Sequence, residues 1–190
     1  MDKESQPVDI EESLQFVRKQ KGLPPVSDWN PPFCGDIDMR IDREGRWYYK
    51  ATPILRESMV ELFASVMRHD DDDCYYLVTP VEKVRIQVED VPFIIIDASM
   101  QDDGNYLLTT NVGNKVRISQ YNPIFIGDGN SFEKGMLYTL VRDRLYARAN
   151  RNVYYQLIND AEEHRKDGRV ELRVHCGDSY FSIGEIEEGG

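Results

Sequence analysis

A chain of 190 residues, 41% hydrophobic and 30% charged, has the material for one good core or two small ones and does not read as a disordered polymer. Its 34 acidic against 23 basic side chains leave a formal charge of -11, which repels polyanions and argues against nucleic acid and anionic membrane as partners, while a local basic patch for a small phosphate or carboxylate stays compatible. No run of about 18 apolar residues occurs, residues 1–30 lack an apolar leader, and Cys34, Cys74 and Cys176 are too few and too scattered for a disulfide framework, so a cytoplasmic protein is expected.

In chain order, DIEESLQFVRKQ places Asp9 as an N-cap and Ile10, Leu14 and Val17 at helical spacing, which predicts an amphipathic helix over 9–20 closed by Gly22. LPPVSDWNPPF, residues 23–33, holds four prolines, which fix φ and remove donors. An extended connector anchored by Trp29 and Phe33 is expected there. In DIDMRIDREGRWYYKA the residues Ile37, Met39 and Ile41 alternate with charged neighbours, Glu44-Gly45 makes a turn, and Trp47, Tyr49 and Ala51 continue on the return strand. Thr52 as N-cap and Pro53 at the first helical position then predict a helix to about His69, with Ile54, Leu55, Met59, Leu62, Phe63 and Val66 on its buried face. Asp70–Asp73 is its polar exit, and CYYLVTP with KVRIQVED reads as a second hairpin turning through Val81-Glu82.

Beyond residue 90, PFIIIDASM, NYLLTTN, KVRIS and PIFIG are strand-like runs separated by turn residues, and antiparallel pairing is expected. MLYTLV and LYARA form another hairpin, followed by a helix from Asn152 to about His164 and a last hairpin through Gly177-Asp178. The pattern hairpin, helix, hairpin therefore occurs twice. A shift of 98 positions lays RWYYKAT on RLYARAN, with Arg46 on Arg144, Tyr48 on Tyr146, Lys50 on Arg148, Ala51 on Ala149 and Thr52 on Asn150. The same shift sets Leu55 on Val153, Met59 on Leu157 and Phe63 on Ala161. The expected fold class is α+β, built of duplicated β-hairpin/helix/β-hairpin units with antiparallel sheets. The expected parts are an arm over 1–27, repeat domains over 28–90 and 91–186, and a frayed tail over 187–190.

The segments DWNPPFCGDIDMRIDREGRWYYKATPILRESMVELF, YYLVTPVEKVRIQVEDVPF and LYARANRNVYYQL resemble the bacterial family described as domain of unknown function 1285, over a span from about Trp29 to Ile183. The resemblance implies a duplicated α+β core whose C-terminal half is loosely similar to pleckstrin-homology-like folds. It also implies a site for a nucleotide-like ligand near the face where the halves meet, and a link to signalling. No established activity comes with it.

The best functional lead is the basic set Lys50, Arg56, Lys83, Arg142, Arg144, Arg148 and Arg151, because guanidinium forks and helix N-termini both suit phosphate or carboxylate. Arg56 and Arg151 stand where a helix begins, an unfavourable place for a cation unless an anion answers it. The competing reading is that these residues are solvated or pair with Glu57, Asp143 and Asp160. Tyr48, Tyr146, Tyr154 and Tyr155 suit either ring stacking or rim packing. Glu82-Lys83, with Asp90 after them, suit a polar ligand, a salt bridge across the hairpin, or ordinary turn chemistry. Asp70–Asp73 lacks calcium-loop spacing, and His69, His164 and His175 have no second ligand nearby. No metal or other cofactor is expected. No nucleophile elbow, P-loop, dinucleotide fingerprint or HExxH motif occurs. The expectation is a module that binds a small anionic or nucleotide-like ligand through Lys50, Arg56, Glu82, Lys83, Arg148, Arg151 and Tyr154. The alternatives are a protein-interaction module without a small ligand, and an enzyme acting on a phosphorylated metabolite.

Overall fold

A computed structural model describes residues 22–166 and 168–187; the helix expected over 9–20 lies outside them. The chain divides into two compact units, one holding the chain up to Met39 with Tyr48–Gln87, the other holding Arg40–Trp47 with the chain from Val88 onward.

The first sheet contains β1 (Phe33–Ile41), β2 (Trp47–Tyr49), β3 (Thr52–Pro53), β4 (Met67–His69), β5 (Tyr75–Val78) and β6 (Lys83–Val88), in the spatial order β3-β2-β1-β6-β5-β4. Helix α1 (Glu57–Ser65) joins β3 to β4. The expected helix from Thr52 to His69 is thus shorter at both ends. Tyr49 pairs with Thr52 across a two-residue turn, Lys50-Ala51, and both turn residues have positive φ, 46° and 61°. That turn draws Thr52 and Pro53 into the sheet, so the helix starts only after Arg56. Leu55 is left 88% exposed, whereas Met59, Leu62 and Phe63 are buried as expected. At the other end Met67–His69 pairs with β5, and the four aspartates form the hairpin turn between them rather than a helix exit.

Before β1, Val26–Asp28 makes a single 3-10 turn, and Trp29 packs on a small core of Val26, Tyr76 and Val78. Arg68 fixes this connector by donating to the Trp29 carbonyl at 2.7 Å and the Val26 carbonyl at 3.3 Å. Phe33, expected as a second anchor, is mostly exposed and touches Tyr76 edge to face.

The second unit carries β7 (Phe93–Met100), β8 (Tyr106–Thr110), β9 (Lys115–Arg117), β10 (Ile124–Ile126), β11 (Leu137–Arg142) and β12 (Leu145–Ala149), ordered β10-β11-β12-β7-β8-β9. Read from its far edge, this is the same order as the first sheet: two meanders, with the last strand of the second beside the first strand of the first. The β12–β7 pair is parallel, with Ala147 opposite Phe93 and Ala149 opposite Ile95, which corrects the expectation of antiparallel pairing throughout. Phe93, Ile94 and Ile95 are all buried, as befits a central strand covered on both faces.

Helix α2 (Arg151–Asp160) follows β12 directly, capped by Asn150, whose Oδ1 accepts from the Val153 N–H at 2.9 Å. It buries Val153 and Leu157 and is fastened by Gln156 donating to the Ala98 carbonyl at 2.7 Å and by the Tyr106 hydroxyl donating to Asp160 at 2.7 Å. The helix ends at Asp160 instead of His164, because β13 (Glu162–Lys166) pairs with β14 (Arg169–Cys176) and sets Glu162 opposite Arg173 and His164 opposite Glu171. The hairpin pairing with β14 there prevails over helix propensity. With β15 (Ser179–Glu187) these strands make a third, antiparallel sheet.

The duplication is therefore real in element order, since hairpin, helix and three-stranded meander follow one another in both β1–β6 and β11–β15. The copies differ at the helix start. Leu55 is solvent-facing where its counterpart Val153 is buried, while Met59 and Leu157 keep their places in the core.

The turn between β1 and β2 belongs to the second unit. The Asp42 carboxylate accepts from the backbone N–H groups of Glu44 and Arg46 at 3.0 and 2.9 Å, and Gly45 has φ +74°. Asn111 donates to the Gly45 carbonyl at 3.1 Å and accepts from the Ile94 N–H at 3.0 Å, so the turn is tied to β7. A Cβ on Gly45 would lie 2.7 Å from both Asn111 Nδ2 and Ile94 Cγ1. Gly45→Ala is expected to cost roughly 2 kcal/mol through left-handed strain and displacement of Asn111. By contrast Ala51→Gly should stabilise by about 0.5–1 kcal/mol, because glycine relieves a left-handed alanine. Urea unfolding midpoints moving in opposite directions for the two variants check both assignments.

Candidate functional site

Three of the seven candidate residues, Arg148, Arg151 and Tyr154, come together at one cleft of roughly 730 Å³ that lies wholly within the second unit. Its floor is apolar. Ile94 and Ile96 come from β7 and Ala149 from the end of β12. The β7–β8 register slips between Ile95 and Asp97, so Ile96 is the extra residue of a bulge and stands about half exposed at the cleft. Such bulges re-aim side chains at the cost of one ladder position.

The first turn of α2 forms one wall. Tyr154 and Tyr155 meet edge to face with ring centroids 5.6 Å apart, and the Arg151 guanidinium lies 5.9 Å from the Tyr155 ring centre. Among the described residues Arg151 makes no ion pair. The Asn150 cap sets this geometry, because it starts the helix directly at the strand end, so that both tyrosines line the cleft with Ile94 and Ile96. Glu44, from the tight turn described above, also lines the cleft, its carboxylate paired with Arg46 at 3.0 Å.

Arg148 has a different standing. Its side chain is only 14% exposed and its Nε lies 3.3 Å from Asp90 Oδ2, itself on a side chain only 9% exposed. The same guanidinium is 3.5 Å from Glu133 and donates to the Arg43 carbonyl, while Arg43 pairs with Glu133 at 2.9 Å. The Tyr138 hydroxyl donates to Asp90 at 3.2 Å and accepts from the Glu133 N–H at 3.1 Å. Burial pushes the Asp90 carboxyl above its ordinary range, with Arg148 and the Tyr138 hydrogen bond opposing the shift. Burial, reinforced by the Asp90 charge, takes the Tyr138 phenol up to about 12. Arg148 is thus the counter-ion of a buried carboxylate before it is anything else.

The remaining candidates stand in the first unit and do not join the cleft. Lys50 sits in the strained turn with its ammonium 5.3 Å from the Tyr49 ring centre. Arg56 occupies the position before α1, exposed and without a capping bond. Lys83 binds Asp70 at 3.1 Å and lies over the Tyr76 ring at 4.4 Å, so the hairpin salt bridge expected of it forms with Asp70. Asp90 takes no part in that bridge. Burial opposes ionisation of Asp70, and the hydrogen bonds from Arg68 and Lys83 overcome it, holding the carboxyl below its ordinary range. Glu82 is buried, 8% exposed, with Oε1 lacking a hydrogen-bond partner among the described residues.

Of the other basic residues, Arg142 is half-buried, donates to Asn114 at 3.3 Å and stacks over Phe93, and burial lowers its pKa. Tyr146 packs edge to face with Phe125 and Phe132 and is not among the cleft-lining residues. The sequence does not single out Ile96, Glu44 or Glu133 as site residues, and it associates Asp90 with Glu82-Lys83, whereas Asp90 pairs with Arg148. The unbroken apolar run Phe93–Ile96 was the available signal for the floor. Nothing in local spacing announces the ion pairs, which join residues far apart in the chain. Among the described residues, no group of three metal-ligating side chains could hold an ion, and no helix is long and apolar enough to cross a membrane.

Family models match nearly all of the described chain: "Domain of unknown function (DUF1285), N-terminal domain" over residues 24–91 and "Protein of unknown function (DUF1285), C-terminal domain" over residues 92–183. Among solved structures, a DUF1285 family protein from Silicibacter pomeroyi DSS-3 is 39% identical, with 90% of this chain and 93% of that one covered and a TM-score of 0.77. A DUF1285 family protein from Shewanella baltica OS155 is 29% identical, with 65% of this chain and 91% of that one covered and a TM-score of 0.53. No curated protein matches.

Replacing Arg148 by Met is expected to destabilise the fold by about 3–5 kcal/mol at neutral pH, because the buried Asp90 carboxylate is left without its counter-ion. The sign with pH follows from the raised Asp90 pKa. A carboxyl whose folded pKa lies above its unfolded value contributes most when protonated, and that contribution is lost as pH rises through the folded pKa. Removing Arg148 raises the folded pKa further, so the deficit of the variant should shrink as the pH is lowered through the carboxylate range. Chemical denaturation of both proteins at several pH values measures it.

Proposed function

The chain belongs to the DUF1285 family, whose name assigns no activity, and we propose that its C-terminal unit is a binding module for a small anionic ligand with an apolar or aromatic body. The observation that carries this reading is the cleft itself. A space of roughly 730 Å³ falls within the range of small-molecule sites, about 300–1,000 Å³, which are mostly apolar with a few well-placed polar groups. The composition fits that description, with an isoleucine floor, a tyrosine pair and a cation.

Arg151 is the anion receptor in this reading. It is exposed, it stacks on Tyr155, and it leads into the first turn of a ten-residue helix whose backbone dipole favours negative charge at that end. A cation there is unfavourable on its own and becomes favourable once an anion is shared between the guanidinium and the helix end. Tyr154 supplies a ring face or edge for the ligand body. Arg148 frames the site from below and holds β12 in place through its buried pair.

Ligand binding to the folded state alone raises stability by mass action, by about 2.7 kcal/mol when the ligand is at 100 times its Kd. A thermal-shift screen of small phosphates, nucleotides and carboxylates is therefore expected to yield compounds that raise Tm. Arg151→Gln should abolish that rise while leaving the Tm of the unliganded protein within about 2 °C, since surface substitutions of this kind are within about 0.5 kcal/mol. A screen in which no compound raises Tm, or a rise that survives Arg151→Gln, contradicts the proposal.

A further inference from the structure

The charge inventory of this cleft narrows the ligand class, an inference that rests on the reading of the cleft as a binding site. We infer that the cleft takes a monoanion with an apolar or aryl body, of the alkyl- or arylcarboxylate type, and discriminates against polyphosphates such as nucleoside triphosphates.

The charged groups lining the cleft are Glu44, Arg148 and Arg151. Arg148 is already opposed by Asp90 and Glu133, and Glu133 in turn takes Arg43. Glu44 takes Arg46, which also binds Asp42 at 3.0 Å. With Arg151 counted, the arginines 43, 46, 148 and 151 are matched one for one by the carboxylates of residues 42, 44, 90 and 133. The network has no surplus of positive charge. Without Arg151 it would carry a net negative charge, so the capacity to receive an anion is one guanidinium.

A triphosphate would bring several negative charges to a cleft whose lining offers that single cation and also includes Glu44, in a protein whose formal charge is -11. Sites that hold polyphosphates supply several cations or a row of backbone donors. A single carboxylate, by contrast, matches one guanidinium fork. The rest of such a ligand finds Ile94 and Ile96 beneath it and Tyr154 and Tyr155 beside it. Burying apolar surface there favours an amphipathic molecule over a compact, fully polar one such as inorganic phosphate. Glu44 then acts as a specificity residue, since its charge penalises each additional negative charge on the ligand.

The test uses the full chain in calorimetric titrations with 3-phenylpropionate, octanoate, phenyl phosphate and ATP, with thermal shifts in parallel. Binding of at least one of the two carboxylates, weaker binding of ATP, and a loss of about tenfold or more in carboxylate affinity on Arg151→Gln, equivalent to 1.4 kcal/mol, are expected. Tyr154→Ala should weaken carboxylate binding as well, and Glu44→Gln should strengthen phenyl phosphate more than it strengthens the carboxylates. ATP binding more tightly than either carboxylate, in a manner lost with Arg151→Gln, overturns the inferred ligand class and leaves the cleft standing as a site. Absence of binding by all four probes, or binding insensitive to both Arg151→Gln and Tyr154→Ala, overturns the assignment of the cleft together with the ligand class.

Discussion

The buried ion pair between Asp90 and Arg148 is the constraint on which the second unit depends. An ionised carboxylate on a side chain 9% exposed is tolerated only because a guanidinium, itself 14% exposed, stands 3.3 Å away and a tyrosine hydroxyl donates to it. The cost of removing two charges from water is large, so such a pair adds little net stability but strongly penalises any arrangement that separates its members. Asp90 lies just before β7 and Arg148 lies on β12. Holding them together favours the parallel register that sets Arg148 opposite Ile94. Through the Arg43 carbonyl and Glu133 the same guanidinium also fixes the β1–β2 turn and the loop leading to β11. The cleft is the space these pinned segments leave at the start of α2.

That view separates the two arginines which sequence alone treats as equivalent. Arg148 is consumed by structure, and Arg151 by nothing stronger than a ring contact. In an isolated sequence both are basic residues flanking a helix start. Their difference is set by Asp90 and Glu133, and the chain offers no local sign that either will arrive there. The hairpins, in contrast, were legible, because alternation and turn residues act over a few positions: Met39, Ile41 and Trp47 are buried as their spacing implies. The Asn150 cap was legible for the same reason. What escaped was every feature decided at long range. These include the parallel β12–β7 pair and the Asp90–Arg148 ion pair, whereas the strand at Glu162–Lys166 is a local hairpin with Arg169–Cys176 that a helical spacing obscures.

Local signals can also compete with one another, and Thr52-Pro53 shows how. A threonine followed by a proline is a good helix opening, yet the neighbouring Lys50-Ala51 forms a two-residue turn that pairs Tyr49 with Thr52. Neither turn residue is a glycine or asparagine, and both sit at positive φ, so no turn signature betrayed the hairpin. The strand pairing outweighs the left-handed strain of about 1–2 kcal/mol per residue. Once the turn forms, the helix is displaced to Glu57 and its former cap becomes an edge strand.

The two copies of the repeat therefore arrive at different chemistry from matched residues. In the first, the position of Arg148 is held by Lys50 in a turn, and the position of buried Val153 by Leu55 in water. In the second, β12 runs straight into a capped helix, whose Arg151, Tyr154 and Tyr155 line one cleft with Ile94 and Ile96 of β7. The wall residues themselves are also not shared, since the same shift lays Arg151 on Pro53, Tyr154 on Arg56 and Tyr155 on Glu57. In DREGRWYYKATPILRE the strand-to-helix junction is scaffold, whereas its counterpart RDRLYARANRNVYYQL builds a wall of the cleft. Even so, the first stretch contributes at its other end, where the tight turn at Gly45 brings Glu44 into the lining of the cleft.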